Sequence, residues 1–227
     1  MTEWVDDDRT ARDAVLARVR RALGRDSSDT QATIEADAYI AAHGHGPRPA
    51  MPGDLRARFI TRATDMSSTV ESIASLADVP RAISRYLDAL AGGDGAVSRA
   101  GVCWPEFRDL DWQAAGLAIE ARPTAGMDRL GITGCFCAIA ETGTILITSS
   151  ATTPTASALL PDTHVAVVRA NRIVSGMEEA FAMVRNEIGA MPRALNFISG
   201  PSRTGDIEQT IVLGAHGPFR VHLLVVG

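Results

Sequence analysis

Apolar residues recur at helical spacing near the start of the chain. Ala11, Val15, Val19 and Ala22 fall on one face with Leu16 and Leu23 beside it, which predicts an amphipathic helix over residues 6–23. Asp6, Asp7 and Asp8 sit at the pole that favours anions, Arg18, Arg20 and Arg21 lie near the other, and Gly24 supplies a left-handed C-cap. A second helix is expected over 78–90, with Asp78 as cap, Pro80 in the first turn, Ile83, Leu87 and Leu90 inward, and Gly92-Gly93 as the stop. A third spans 175–188, where Ser175 and Glu178 have capping-box spacing and Met177, Phe181, Val184 and Ile188 share the inner face.

Between these helices the apolar runs are short and β-branched. Strands are predicted at 95–100, 117–121, 136–140, 144–148, 164–169, 194–199 and 221–226, the third and fourth joined through Glu141-Thr142-Gly143. Strands alternating with helices define an α/β fold with a mainly parallel sheet covered on both faces, and place ligands at the carboxyl ends of its strands. Residues 26–54, rich in Gly, Pro and polar side chains, read as a loosely structured linker. The expected organisation is therefore an N-terminal helix and linker extension over 1–60 and an α/β domain over 61–227. His43 and His45 fall in that linker in H-G-H-G-P, a plain turn with no third metal ligand near it.

Composition narrows the picture. A chain of 227 residues that is 46% hydrophobic and 22% charged is an ordinary globular protein, and with 5% aromatics its core is built from Ala, Val, Ile and Leu. A net charge of -5 gives no general attraction to a polyanion, which argues against a nucleic-acid partner but leaves room for a local basic pocket. All 22 basic residues are arginines, so a Schiff-base or phosphate-binding lysine is excluded. The three cysteines, Cys103, Cys135 and Cys137, are too few for a disulfide framework or a four-ligand metal or iron-sulfur site, and they fit a reducing compartment. Cys135 and Cys137 belong to a strand. The acidic N-terminus lacks an apolar segment and no run approaches about 18 apolar residues, so a cytoplasmic chain with neither signal peptide nor membrane span is expected.

Three places carry candidate chemistry. Gly200 and Gly205 have the spacing of a phosphate loop, but Asp206 stands where its lysine would be and Ile207 where its hydroxyl would hold magnesium, so an ATPase or GTPase is excluded. The same stretch can bind a carboxylate or another anion through backbone amides after Gly200, the hydroxyls of Ser202 and Thr204, and Arg203 oriented by Asp206 and Glu208. Equally, Asp206 or Thr204 caps the next element and Arg203 pairs with a surface acid. His216, in G-A-H-G-P, has an unobstructed imidazole suited to acid/base work or carboxylate binding, or it is a turn residue. If residues 210–213 form a strand, the Arg203 and His216 loops lie at its opposite ends unless one folds back. Glu141 is either a poised carboxylate nucleophile beside a glycine that allows close approach, or a solvated hairpin residue.

The segments AIAETGTILITSS, LLPDTHVAVV and GPSRTGDIEQTIVLGAHGP together resemble the LUD-domain family, in particular its lactate utilization protein C type, over about residues 70–227. Gly205 replaces the alanine usual between the Thr and Asp of the third motif, a small-for-small change. The resemblance implies a three-layer α/β/α fold similar to the NagB/RpiA/CoA-transferase group. It also implies a role in oxidising L-lactate to pyruvate beside iron-sulfur lactate utilization proteins A and B, the clusters residing in those partners and no redox cofactor in this chain. The ligand site would comprise Thr142, Gly143, Thr144, Ser202, Arg203, Thr204, Asp206, Glu208 and His216, with Arg203 on a carboxylate and Glu141 or His216 as the catalytic candidates. Two alternatives stand beside it: a CoA-transferase-like acyl transferase using Glu141, and a small-carboxylate sensor.

Overall fold

The computed structural model describes residues 3–24, 30–51, 53–91, 97–207 and 210–227; the side chains of 3–8 and 205–212 lie outside that description. Two compact units divide the chain, Met1–Pro49 and Ala50–Gly227.

The first unit holds α1 (Glu3–Leu23) and α2 (Thr30–Ala42). Helix α1 matches the predicted amphipathic segment, and Gly24 follows it at φ 63°. Helix α2 corrects the linker reading. Its sequence, TQATIEADAYIAA, is dominated by good helix formers and contains no Gly or Pro, and this local preference outweighs the turn-rich flanks. It buries no residue, and Ile34, Tyr39 and Ile40 are all exposed.

In the second unit, α3 (Leu55–Asp65) leads into β1 (Thr69–Ile73), α4 (Val79–Leu90), β2 (Ala100–Cys103), β3 (Ala118–Ala121), β4 (Leu130–Gly134), β5 (Cys137–Ile139) and β6 (Thr144–Thr148). Then follow α5 (Ala156–Leu159), β7 (Thr163–Arg169), β8 (Ile173–Val174), α6 (Met177–Glu187), β9 (Leu195–Ile198), β10 (Arg203–Ile207), β11 (Thr210–Leu213) and β12 (Arg220–Val226). A six-stranded, wholly parallel sheet runs in the order β1-β12-β7-β4-β2-β3. Its central strands read as near-continuous apolar runs because both faces are covered: β4 is buried throughout and β7 is buried from Thr163 to Val168. Each fully buried valine of β7 contributes about 1.5–3 kcal/mol over leaving it in water.

A second, four-stranded sheet, β8-β5-β6-β9, departs from the mainly parallel expectation. β5 pairs antiparallel with β6 and β6 with β9, while β5 and β8 run parallel. It carries its own small core of Cys137, Ile139, Leu146, Ala180 and Val184 under α6. The whole is an α/β fold of mixed sheets and several helices, broadly an α/β/α sandwich.

Several local expectations shift. The strand expected over 95–100 is β2, beginning at Ala100; Gly92, Gly93, Gly95 and Ala96 lie outside the described residues. Asp78 does not cap α4 but accepts hydrogen bonds from the Ser75 N–H (3.0 Å) and hydroxyl (2.8 Å), closing the preceding turn. The capping box of α6 is displaced by one residue, with the Gly176 N–H donating to Glu179 at 2.9 Å. Helix α3 had no counterpart in the reading of the sequence. Its N-terminus is capped by the Asp54 carboxylate, which accepts from the Arg56 N–H at 2.9 Å, and it buries Phe59 and Ala63 completely.

Candidate functional site

The E-T-G-T segment is the turn between β5 and β6. Its backbone is tied by the Glu141 N–H to Ser175 O (3.0 Å) and the Gly143 N–H to Ile139 O (3.0 Å). Gly143 sits at φ 68°, and a Cβ there would stand 2.3 Å from Ala63 N and 2.4 Å from the Arg62 carbonyl carbon. The space that a close ligand was expected to use is filled by the backbone of α3. Thr144 is buried, and its hydroxyl bridges Thr142 (2.7 Å) and Ser199 (2.6 Å), linking this turn to the end of β9. One residue on, Gly200 at φ 88° would place a Cβ 2.0 Å from Met66 O. Both motif glycines therefore press against the last turn of α3, where only glycine fits.

The two loops of the third segment, around Arg203 and around His216, meet because R-T-G-D-I is itself a strand. β10 pairs antiparallel with β11, Arg203 opposite Leu213, so the start of β10 and the end of β11 lie together. This resolves the geometric conflict between the two loops. The Ser202 N–H donates to Pro218 O (2.9 Å), the Gly214 N–H to Ser202 O (2.9 Å), and the His216 N–H to the Ser202 hydroxyl (3.2 Å). Arg203 is exposed and its guanidinium donates to the Ser67 hydroxyl; Thr204 is buried and His216 is exposed. Ser67 follows α3 at φ 65°, a left-handed conformation unusual for a residue with a Cβ. The Asp206 side chain and the whole of Glu208 lie outside the described residues, so their expected orienting role is not part of this geometry.

Next to this cluster is a cavity of about 320 Å³ at the amino ends of β1 and β12. Arg203 and Arg220 supply its positive charge, Ser67 and Thr69 its hydroxyls, and Tyr86, Leu90 and Phe219 part of its apolar wall. The Arg220 guanidinium lies 4.9 Å from the centre of the Phe219 ring. The Tyr86 ring stacks on His222 at 3.9 Å and 7°, and His222 Nδ1 is 2.8 Å from the Thr69 hydroxyl, while its Nε2 is buried without a hydrogen-bond partner. Burial pulls His222 down to about 4 and keeps it neutral; burial also raises the Tyr86 phenol, with Thr69 and Arg220 opposing. Arg220, Tyr86, Thr69 and Ser67 escaped the reading of the sequence. Arg220 had a signal, two residues past the G-x-H-G-P motif at the head of a strand; Tyr86 sits one turn from both Ile83 and Leu90 on the inner stripe of α4.

A larger cavity, of about 580 Å³, lies among Ser149, Ser150, Thr155 and Arg193. Its two serine hydroxyls are already engaged: Ser149 accepts from the Ala194 N–H (2.9 Å), and Ser150 from those of Thr152 (3.2 Å) and Thr153 (3.1 Å). It has one arginine among its walls and only Ser149 and Ser150 of the family segments, whereas the other cavity has both Arg203 and Arg220, so the Arg203 cavity is the stronger anion site. At the carboxyl end of β4, Glu106 fills the space beside Gly134, where a Cβ would stand 2.3 Å from its Oε1, and lies 3.6 Å from Arg169. Desolvation raises the Glu106 carboxyl and Arg169 opposes it.

Neither His164 nor any of the three cysteines lines the Arg203 cavity. His164, of the P-x-x-H motif, is fully buried in β7 with Nε2 2.8 Å from the Thr133 hydroxyl, and burial pushes it down to about 3. Burial pushes the thiols of Cys103 and Cys137 up to about 11 and raises Cys135 as well, so none is held as a thiolate. Among the described residues no group of three or more His, Cys, Asp and Glu could hold a metal ion, and no helix is long and apolar enough to cross a membrane.

Comparison with known proteins places these loops in a family setting. Residues 105–226 match the LUD domain. A lactate utilization protein C of Deinococcus radiodurans is 34% identical over 80% of this chain and 84% of its own length. Those of Bacillus licheniformis and Bacillus subtilis are 34% and 33% identical, and these matches span about half the length of either protein. Among solved structures, a DUF162 family protein from Deinococcus radiodurans superimposes with a TM-score of 0.57 at 26% identity, covering 79% of this chain and 100% of that one.

Proposed function

The chain belongs to the LUD-domain family, and from that premise we propose that it serves an L-lactate utilization system as a carboxylate-binding subunit. Iron-sulfur partner proteins would carry the electrons of the oxidation. The observation that carries this reading is the convergence of Ser202, Arg203 and His216 through the β10–β11 hairpin beside a cavity. An arginine already oriented by Ser67 offers a fork of N–H donors to a carboxylate, and charge-assisted bonds of this kind are shorter and stronger than neutral ones. The exposed His216, its backbone N–H fixed to the hydroxyl of Ser202, brings an imidazole to the same end of the hairpin as Arg203.

Glu141 supports acyl transfer less well. The glycine beside it is backed by α3 and the hydroxyls next to it are bonded to one another, so that side of the turn offers a thioester no open approach. Deletion of the gene from a host without other lactate dehydrogenases tests the proposal. Growth on L-lactate should be lost and growth on pyruvate kept; unchanged growth on L-lactate would overturn it.

A further inference from the structure

The cavity beside Arg203 has more apolar surface than a three-carbon hydroxy acid alone would cover. Its volume of about 320 Å³ lies at the lower end of the range for small-ligand sites, about 300–1,000 Å³, and Tyr86, Leu90 and Phe219 give it a hydrophobic wall that lactate could not cover. We propose that this pocket binds an organic oxyanion with an apolar, ring-sized body: the carboxylate or phosphate head lies between Arg203 and Arg220, and the body lies against Tyr86 and Phe219. The inference rests on the reading of Arg203 as an anion binder and not on the part the chain plays in lactate use.

Three observations support it. Both guanidinium groups have positions set before any ligand arrives, Arg203 by the Ser67 hydroxyl and Arg220 by the Phe219 ring. Tyr86 is equally fixed, because it stacks in parallel on a histidine that is 3% exposed and bonded to Thr69. A pocket ordered in advance gives up little conformational entropy on binding. Finally, an apolar surface next to two cations suits a molecule that is greasy at one end and charged at the other, which is how small-ligand sites achieve both affinity and orientation.

Calorimetric titration of the purified full-length chain separates the possibilities, with phenylacetate, phenyl phosphate, phenylacetamide, L-lactate and inorganic phosphate as probes. At least one phenyl oxyanion should bind ten-fold or more tightly than both L-lactate and inorganic phosphate, and the tighter of the two identifies the head group. Phenylacetamide, which keeps the body and loses the charge, should bind at least ten-fold more weakly than phenylacetate if the head is a carboxylate. Arg220→Gln and Tyr86→Leu, each shown by thermal melting to remain folded, should each weaken the preferred probe ten-fold or more. L-lactate binding as tightly as the phenyl oxyanions, phenylacetamide binding as tightly as the preferred probe, no binding by any probe, or wild-type affinity in both variants would overturn the proposal. The lactate-growth phenotype is measured separately: L-lactate binding as tightly as the phenyl oxyanions would overturn the pocket's chemistry and leave the lactate reading standing, whereas unchanged growth on L-lactate would remove that reading and leave the pocket's chemistry intact.

Discussion

The E-T-G-T turn and the S-R-T hairpin make an informative pair. Each abuts the last turn of α3 through a glycine at positive φ, Gly143 in one and Gly200 just before the other. At the first, the approach is sealed: α3 backbone fills the glycine's empty side and the Thr142, Thr144 and Ser199 hydroxyls satisfy one another. At the second, the chain turns outward into an antiparallel hairpin and leaves Arg203 facing a cavity. Motif residues that look alike in sequence thus divide into those that lock the scaffold and those that face open space.

Acid should have the largest effect, because it acts on the sheet that carries the hairpin. Burial holds His222 near 4 and His164 near 3, below the ordinary value of 6.5, so as pH falls the unfolded chain takes up protons before the folded one. Stability is full above about pH 6.5 and declines progressively as pH falls through the folded-state values. At about 1.4 kcal/mol per pK unit the pair is worth several kcal/mol. Urea unfolding at a series of pH values should show the midpoint falling steadily below pH 6.5; a flat profile down to pH 4 would mean that neither histidine is buried as described.

Substitution at the sealed turn comes next. Gly143→Ala adds an unfavourable left-handed conformation, about 1–2 kcal/mol, to overpacking against α3, about 1–3 kcal/mol. At about 2–4 °C per kcal/mol, the melting temperature should fall by roughly 4–20 °C. Gly189→Ala is the matched control, since its φ of 76° carries the same conformational cost but nothing lies within 4 Å of its Cβ position. Equal losses in the two variants would show that α3 does not press on the turn.

The smallest effect is expected at Ser67. Ser67→Gly relieves a left-handed residue and removes the hydroxyl that orients Arg203. Stability should hold or rise by up to about 1 kcal/mol, while affinity for an anion in the pocket should drop a few-fold. Unchanged affinity would show that Arg203 needs no such support.

Much of the second unit was legible in local patterns. β6 is bounded as expected, at Thr144–Thr148, because an apolar β-branched run begins directly after a glycine turn, and β7 and β12 differ from expectation by one residue at their starts. Helix α3 was not, since Arg56, Arg58 and Arg62 interrupt its apolar positions and leave only a short stripe through Phe59 and Ala63. β4 hid behind Gly131 and Gly134, which weaken a strand pattern yet are required where Ser157 O and Glu106 press close. β10 is polar enough to pass for a loop. The site was half legible for the same reason: Arg203 and His216 stand in local motifs, whereas Thr69 and Tyr86 join them only because β1 pairs with β12 at the edge of the sheet.

The contrast between the two loops is tested most directly by complementation on L-lactate, in the deletion host, with Arg203→Gln and Glu141→Gln variants that express and melt like the parent protein. Growth should fail with Arg203→Gln and persist with Glu141→Gln. Persistence with Arg203→Gln and failure with Glu141→Gln would place the chemistry at the E-T-G-T turn and contradict the account.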